Sequence, residues 1–429
     1  MIGNYLKIAF RNLYKNKSLS LINILGLSVS IAVCFLIALF IIHELSYDTF
    51  HKNSEDLYRI TIKGEISGQP IEYAVSMVPL PSVLSQDFPE VEAVTGVFSG
   101  PSKQLVSYKN RSFFETNISS ATDAFFNVFD YELIRGDKET VLVDPNSIVL
   151  SESLAKKYFD EADPVGETIT VNETTDYVVS GVFKDFPTNS HLHMNGITSV
   201  EYVDDIPQYW GSFSAHNYIR LKEGTDPGVF QKKIENLAME KMGITLEETG
   251  MEFLLFLEPI KDIHLRSHYS YNLGNDGNIT YVYVFSIIAF FILIIAYINF
   301  INLTTAHYLI RAKEVGMRKV IGASRRNLIS QFLLESVLIT VIATLISLIL
   351  VELLQPVFKQ LSGIEIELQL LTQGSYIFLG ILVLILLAII SGIYPAMHLS
   401  ANDPIHSIKG RFIGKIKTVS YTHLRAHET

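Results

Sequence analysis

RAKEVGMRKVIGASRR, Arg311 to Arg326, is a strongly basic segment broken by two glycines, lying between two apolar runs that are each long enough to cross a bilayer. Gly316 and Gly322 are six apart, a spacing that ends an incoming helix and brackets a short one over Met317 to Ile321. Ser324 then stands where it caps the next long helix. Arg325 and Arg326 follow at a helix start, where the macrodipole disfavours cations by about 0.3–1 kcal/mol each. Something negative must compensate them, and two candidates have the right chemistry: anionic lipid headgroups, or acidic residues of a docked cytosolic protein.

Working outward, four predominantly apolar runs reach the roughly 20 residues that a 30 Å hydrocarbon core requires. They divide the chain into an amphipathic segment (1–20), a first span (21–43), a large insert (44–279), a second span (280–303), the connector (304–331), a third span (332–354), an outer loop (355–375), a fourth span (376–397) and a tail (398–418). Residues 1–43 hold Lys7, Arg11, Lys15 and Lys17 with no acid, and residues 304–331 hold six Lys and Arg against Glu314 alone. Both pieces therefore read as cytoplasmic. The insert carries 18 Lys and Arg against 37 Asp and Glu, a balance that an exported domain tolerates. The expected setting is a bacterial cytoplasmic (inner) membrane, multi-pass, with the N-terminus cytoplasmic.

At 429 residues with 48 % hydrophobic content, the chain is too apolar for an ordinary soluble protein yet keeps enough charge for a folded domain outside the bilayer. The first apolar run is too long for a signal-peptide core and no small-x-small cleavage site follows it, so it reads as an uncleaved anchor. Before it, Tyr5, Leu6, Ala9, Phe10, Leu13 and Tyr14 recur at helical spacing among cations, which places residues 2–16 along the inner membrane surface. The one cysteine, Cys34, lies inside a span, so the exported domain must be held by its own core. No nucleic-acid partner is expected.

Within the insert, alternating runs at 57–66, 103–110, 168–173, 176–186 and 217–224 predict strands. Helical patterns at 80–88, 151–159 (with Ser151 as cap) and 226–242 interleave them. The fold class is thus a membrane protein of four transmembrane helices plus a large α+β extracytoplasmic domain between the first two. No G-x-S-x-G elbow or H-E-x-x-H helix organises a catalytic site, and neither cofactor nor metal is expected. His191 and His193 form a lone H-x-H that reads as a polar surface loop, with metal binding as the alternative; His264 and His268 read similarly. Phe125, Phe126, Phe129 and Tyr131 read as core aromatics, with a ligand surface as the alternative.

In the first span Gly26, Ser30, Cys34 and Ala38 fall four apart and form a ridge of small residues, which predicts a close helix contact. Asn299 and Asn302 share a face near the inner end of the second span. Glu335 lies 11 residues after Ser324, roughly 16 Å along a helix, where a carboxylate needs a partner or water. Pairing with Gln331, the asparagines or an arginine is one reading; a direct role in coupling is another. So sparse a set of intramembrane polar groups argues against a proton relay and against a wide polar channel.

RAKEVGMRKVIGASRRNLISQFLLESVLI (311–339) and YPAMHLSANDPIHSIKG (394–410) resemble the signature of FtsX/MacB-type ABC transporter permeases. The resemblance extends to VLSESLAKKYFDEADPVGETITV (149–171), DYVVSGVFKDFP (176–187) and LKIAFRNLYKNK (6–17), similar to the family's exported core domain and its opening. It implies a MacB-like core domain with porter and sabre lobes, dimeric assembly with a second permease copy or a fused second half, and a cytosolic ABC ATPase subunit that grips the connector as a coupling helix. Arg311, Lys313, Glu314, Gly316, Arg318, Lys319, Gly322, Ala323, Ser324, Arg325 and Arg326 make up that docking segment. A periplasmic adaptor and an outer-membrane channel would accompany an efflux role.

GRFIGK (410–415) is one residue short of a P-loop and is followed by Ile416 where Ser or Thr would hold magnesium, so ATP hydrolysis is expected in a separate polypeptide. VSYTHLRAHET, Val419 to Thr429, breaks the preceding pattern and resembles a translated sequencing adapter; the natural chain is expected to continue past Thr418. The function expected is a permease subunit working by mechanotransmission. Its rival is a regulator of the same family, controlling cell-wall hydrolases or an antimicrobial-peptide response without moving cargo.

Overall fold

A computed structural model describes residues 2–15, 17–66, 68–200, 210–249, 251–274, 276–310, 317, 320–322 and 324–363, with single residues at 380, 382, 385, 389 and 393. Two compact units emerge, one of Met1–Phe40 with Val284–Thr429 and one of Ile41–Tyr283.

The first unit is helical. α1 (Ile2–Lys15) and α2 (Lys17–Leu45) are separate helices, so the first span's helix begins at Lys17, earlier than hydropathy alone suggests. α8 (Ile279–Ile310) and α9 (Arg325–Ser362) flank the connector. Three helices are long and apolar enough to cross a membrane, Lys17–Leu45, Ile279–Ala306 and Arg326–Ser362; the expected fourth span lies almost wholly outside the described residues. The outer loop expected from residue 355 is corrected: α9 continues eight residues further and ends at Gly363, whose φ of 71° gives a left-handed cap. Hydropathy falls after Leu354, but helix hydrogen bonding does not, and Pro356 removes only one donor from it. Packing in this unit centres on Leu27, Ile31, Phe300, Ile339 and Ala343, with Leu13 of α1 against them.

Among the described residues of the second unit, the strands join one 14-stranded sheet. One half consists of β14 (Met251–Pro259), β1 (Leu57–Ile66), β13 (Phe213–Leu221) and β4 (Val91–Phe98), all antiparallel in that order. α3 (Leu80–Asp87) and α6 (Pro227–Thr249) supply Leu80, Val83, Leu84, Phe230 and Ile234 to its core. The other half is β7 (Ile118–Ala121), β12 (Gly196–Ser199), β9 (Ser147–Ser151), β11 (Thr175–Phe183), β10 (Thr168–Val171), β5 (Gln104–Tyr108) and β6 (Arg111–Glu115). β9 and β11 are parallel, as the α5 (Glu152–Phe159) crossover between them allows. The remaining strands, β2 (Gln69–Tyr73), β3 (Ser76–Met77) and β8 (Leu133–Arg135), pair off this path.

Strand pairing joins the halves at β4 and β7, through Val97 opposite Ala121 and Phe98 opposite Ser120. Two lobes therefore share one sheet across a narrow joint, with the second lobe inserted in sequence between β4 and β13. Beneath the joint, Phe125, Phe126, Phe129 and Tyr131, from α4 (Phe125–Val128) and the turn after it, pack with Leu57, Tyr218 and Ile260 as core. The expected strands and helices occur in place, and Ser151 accepts from the Leu154 N–H at 3.2 Å as the cap of α5.

Candidate functional site

Of the expected docking segment, Arg311, Lys313, Glu314, Gly316, Arg318, Lys319 and Ala323 lie outside the described residues. What is described agrees with a short turn of helix: Met317 and Val320 are helical, the Ile321 N–H reaches the Met317 carbonyl at 3.1 Å, and Gly322 takes φ 100°. Met317, Val320 and Ile321 are 57, 67 and 83 % exposed, an apolar set presented outward. Ser324 caps α9, its Oγ accepting from the Asn327 N–H at 3.3 Å, and Arg326 is exposed.

Within the helical unit, Glu335 of α9 is buried and accepts from the Asn12 side-chain amide of α1. The two enclose a cavity of about 30 Å³ together with Ser20 and Asn23 of α2 and Thr304 of α8. Asn23 Oδ1 and Thr304 Oγ1 are buried there without a protein partner, in a space large enough for a water molecule. Four helices thus place polar groups around one point. Asn299 and Asn302, expected as partners of Glu335, are exposed on α8 instead. Asn12 was missed because it belongs to a helix read as lying on the membrane surface. Its signal was its place beside Ala9 and Leu13 on the inward stripe.

The small-residue ridge of α2 faces α8. A Cβ on Gly26 would sit 3.9 Å from Asn299 Nδ2, and the Cys34 thiol donates to the Ala289 carbonyl at 3.5 Å. Ser30 Oγ turns back to the Gly26 carbonyl at 2.9 Å, and Ala38 is exposed.

The second cluster lies in the exported unit and is built on residues that directly follow the first span. Asp48, at φ 54°, donates its N–H to the Asn189 carbonyl at 2.9 Å. Its Oδ1 accepts from Ser190 Oγ at 3.3 Å and the His191 N–H at 3.2 Å. Its Oδ2 lies 2.9 Å from His191 Nδ1, an ion-pair distance without hydrogen-bond alignment. His191 Nε2 meets the Tyr218 hydroxyl at 2.9 Å, and Ser190 meets the Tyr131 hydroxyl at 2.8 Å. The surface-loop reading of His191 is therefore corrected: it is 2 % exposed and tied to residues 143 positions away, whereas His193 is exposed.

His264 is likewise buried. Its Nε2 lies 3.0 Å from Glu44 Oε2, its ring stacks on Tyr47 at 3.3 Å, and its carbonyl accepts from the Gly277 N–H at 2.8 Å. One side chain and its carbonyl thereby fasten the exit of the first span and the entry to α8. His268 is exposed. Further in, His51 Nδ1 accepts from the Asp130 N–H at 3.2 Å, and Arg220 donates to Asp130 at 3.0 Å. Burial pushes His51 down to about 4 and His216 down to about 3, so both are neutral at ordinary pH. Among the described residues no group of metal-ligating side chains converges; the cluster's contacts tie residues 44–51 to the 187–191 loop and to His264, and that loop to Tyr218.

Three helices long and apolar enough to cross a bilayer, with a large α+β domain between the first two, define a membrane protein with an extracytoplasmic domain. Residues 20–237 match the MacB-like periplasmic core domain and residues 286–404 the FtsX-like permease C-terminal domain. The chain belongs to the FtsX/MacB-type family of ABC transporter permeases. It is similar to the macrolide export ATP-binding/permease protein MacB of Pectobacterium atrosepticum, 24 % identical over 68 % of this chain and 43 % of the relative. It also resembles YknZ of Bacillus subtilis, named as an uncharacterized ABC transporter permease, at 21 % identity over 83 % of this chain and 85 % of that one. The chain spans less than half the length of the MacB proteins it matches. Among solved structures, a domain of a permease protein from Porphyromonas gingivalis covers 49 % of this chain and 91 % of its own, with 21 % identity and a TM-score of 0.42.

Proposed function

We propose that this chain is the permease subunit of an ABC transporter, driven by an ATPase on a separate cytosolic polypeptide and working by mechanotransmission. ATP binding in that partner moves the connector, the long helices carry the movement, and the exported domain changes shape to expel or release a substrate already outside the membrane. The observation that carries this reading is the FtsX-like match over residues 286–404, which takes in the connector and both helices flanking it.

Two features support it. α2 and α9 hold 29 and 38 residues, rods of about 44 and 57 Å. The residues at which α2 ends, Glu44 to His51, are fastened on several sides, so a displaced helix end would pull on β13, on α7 (Ile260–Arg266) and on the 187–191 loop together. The MacB relatives are named for ATP binding and permease function in one protein, whereas these 429 residues hold no complete P-loop, which is why hydrolysis is assigned to a partner. A second permease copy or a fused second half completes the assembly, with the N-terminus on the ATPase side of the inner membrane.

Charge reversal tests this directly. Arg318→Glu with Lys319→Glu, in the chain co-expressed with its neighbouring ATPase, should abolish co-purification and substrate-stimulated hydrolysis while leaving membrane insertion intact. Normal stimulation in that variant would sink the docking assignment. Stimulated hydrolysis with no cargo movement in the unaltered complex would favour the regulatory reading instead.

A further inference from the structure

We propose that α1 is a sensor of anionic lipid whose state is passed to α9 through the Asn12–Glu335 hydrogen bond. The outward side of α1 carries two adjacent ladders. Lys7, Arg11 and Lys15 form one, all exposed, and Phe10 and Tyr14, 56 and 73 % exposed, form the other. The Lys17 ammonium lies 4.2 Å from the Tyr14 ring and adds a fourth cation. Residues 1–43 contain no acid, and among the described residues Lys7, Arg11 and Lys15 form no ion pair. Aromatic rings flanked by cations on an amphipathic helix fit the boundary of a negatively charged bilayer, where rings enter the headgroup layer and the ammonium and guanidinium groups meet phosphates.

The inward side is different. Ala9 is fully buried, Leu13 packs on the cluster of Leu27, Ile31, Phe300, Ile339 and Ala343, and Asn12 donates to Glu335. Glu335 lies three turns into the helix that Ser324 caps, so the connector and the lipid-facing helix bear on the same stretch of α9. Shifting or lifting α1 cannot leave Glu335 undisturbed, because its amide partner leaves with the helix and a buried carboxylate loses a hydrogen bond. Anionic lipid that holds α1 down thereby steadies the start of α9.

The test is hydrogen–deuterium exchange on the full chain in nanodiscs of phosphatidylcholine alone and of phosphatidylcholine with phosphatidylglycerol. Phosphatidylglycerol should slow exchange in α1 and in residues 325–339 of α9. Lys7→Ser with Arg11→Ser and Lys15→Ser should remove both responses, since about fivefold per cation amounts to about 100-fold in the surface equilibrium of α1. Asn12→Leu should keep the α1 response and lose that of α9; Glu335→Gln, which keeps an acceptor oxygen for Asn12, should keep both. Equal α1 exchange in the two lipids overturns the sensor. An α9 response that persists in Asn12→Leu overturns the latch. Protection of α1 only when a soluble protein co-purifies overturns the choice of lipid as partner.

Discussion

Asp48 and His191 meet 2.9 Å apart in the exported domain, both buried and 143 positions apart in the sequence. Asp48 is the fixed point, because its carboxylate also holds Ser190 and the His191 backbone, and its φ of 54° suits Asp and Asn better than other side chains. Asp48→Ala should therefore cost about 3 kcal/mol through the donors it strands, and Asp48→Asn clearly less. The only tryptophan, Trp210, is buried in this domain, so its fluorescence during urea unfolding reads the order of the two variants.

Stability of the exported domain should fall in acid, with a sign set by its neutral histidines. His51 and His216 titrate near 6.5 when unfolded and at about 4 and about 3 when folded, so the unfolded chain takes up more protons as pH drops below 6.5. Their contribution is constant above about pH 7 and is lost progressively from about 6.5 down to about 4 for His51 and about 3 for His216, at up to about 1.4 kcal/mol per pH unit for each group. His51 protonation also breaks its acceptance from the Asp130 N–H, beside the cationic Arg220. Trp210 unfolding midpoints measured from pH 8 to 4 should trace this decline, and His51→Phe should flatten it.

Arg59 and Glu258 form a buried pair across β1 and β14, with Nε and Nη2 donating to one carboxylate oxygen at 3.0 and 2.6 Å and Nη2 also reaching Ser267. Removing either partner leaves a buried charge, so Arg59→Met and Glu258→Leu should each cost about 3–5 kcal/mol. The double variant should cost far less than their sum, because it strands nothing. Additive losses in the same urea titration would mean the pair is not a unit.

Gly277 admits no side chain. A Cβ there would lie 2.6 Å from His264 Nε2 and 3.0 Å from Glu44 Oε2, and neither can retreat while the ring is stacked on Tyr47. Gly277→Ala should break the Glu44–His264 contact and lower substrate-stimulated ATPase activity of the assembled transporter, at a cost in Trp210 stability of about 1–3 kcal/mol. Unchanged stimulation would mean the fastening between the two spans is not on the transmission route.

Local patterns carried the strands and helices that alternate or repeat cleanly, such as 57–66, 80–88 and 151–159. They were silent where one residue's role depends on another far away. PTNSHLHMN looks like a polar loop because nothing nearby reveals Asp48, and the fully buried β9, SIVLS, has no alternation to detect. Asn12 stayed hidden for a related reason: an amphipathic helix read as purely surface-bound leaves no reason to seek a partner on its inward side. The helix ends missed at 355–362 show that hydropathy measures affinity for lipid, not backbone hydrogen bonding.

In the proposed coupling an ATPase, and not lipid alone, meets the connector. A photo-crosslinking amino acid at exposed Val320, in the full chain in its native membrane, tests it most directly. The expected product is an adduct with a P-loop ATPase whose yield changes when ATP is added. Adducts with lipid only, indifferent to nucleotide, would contradict it.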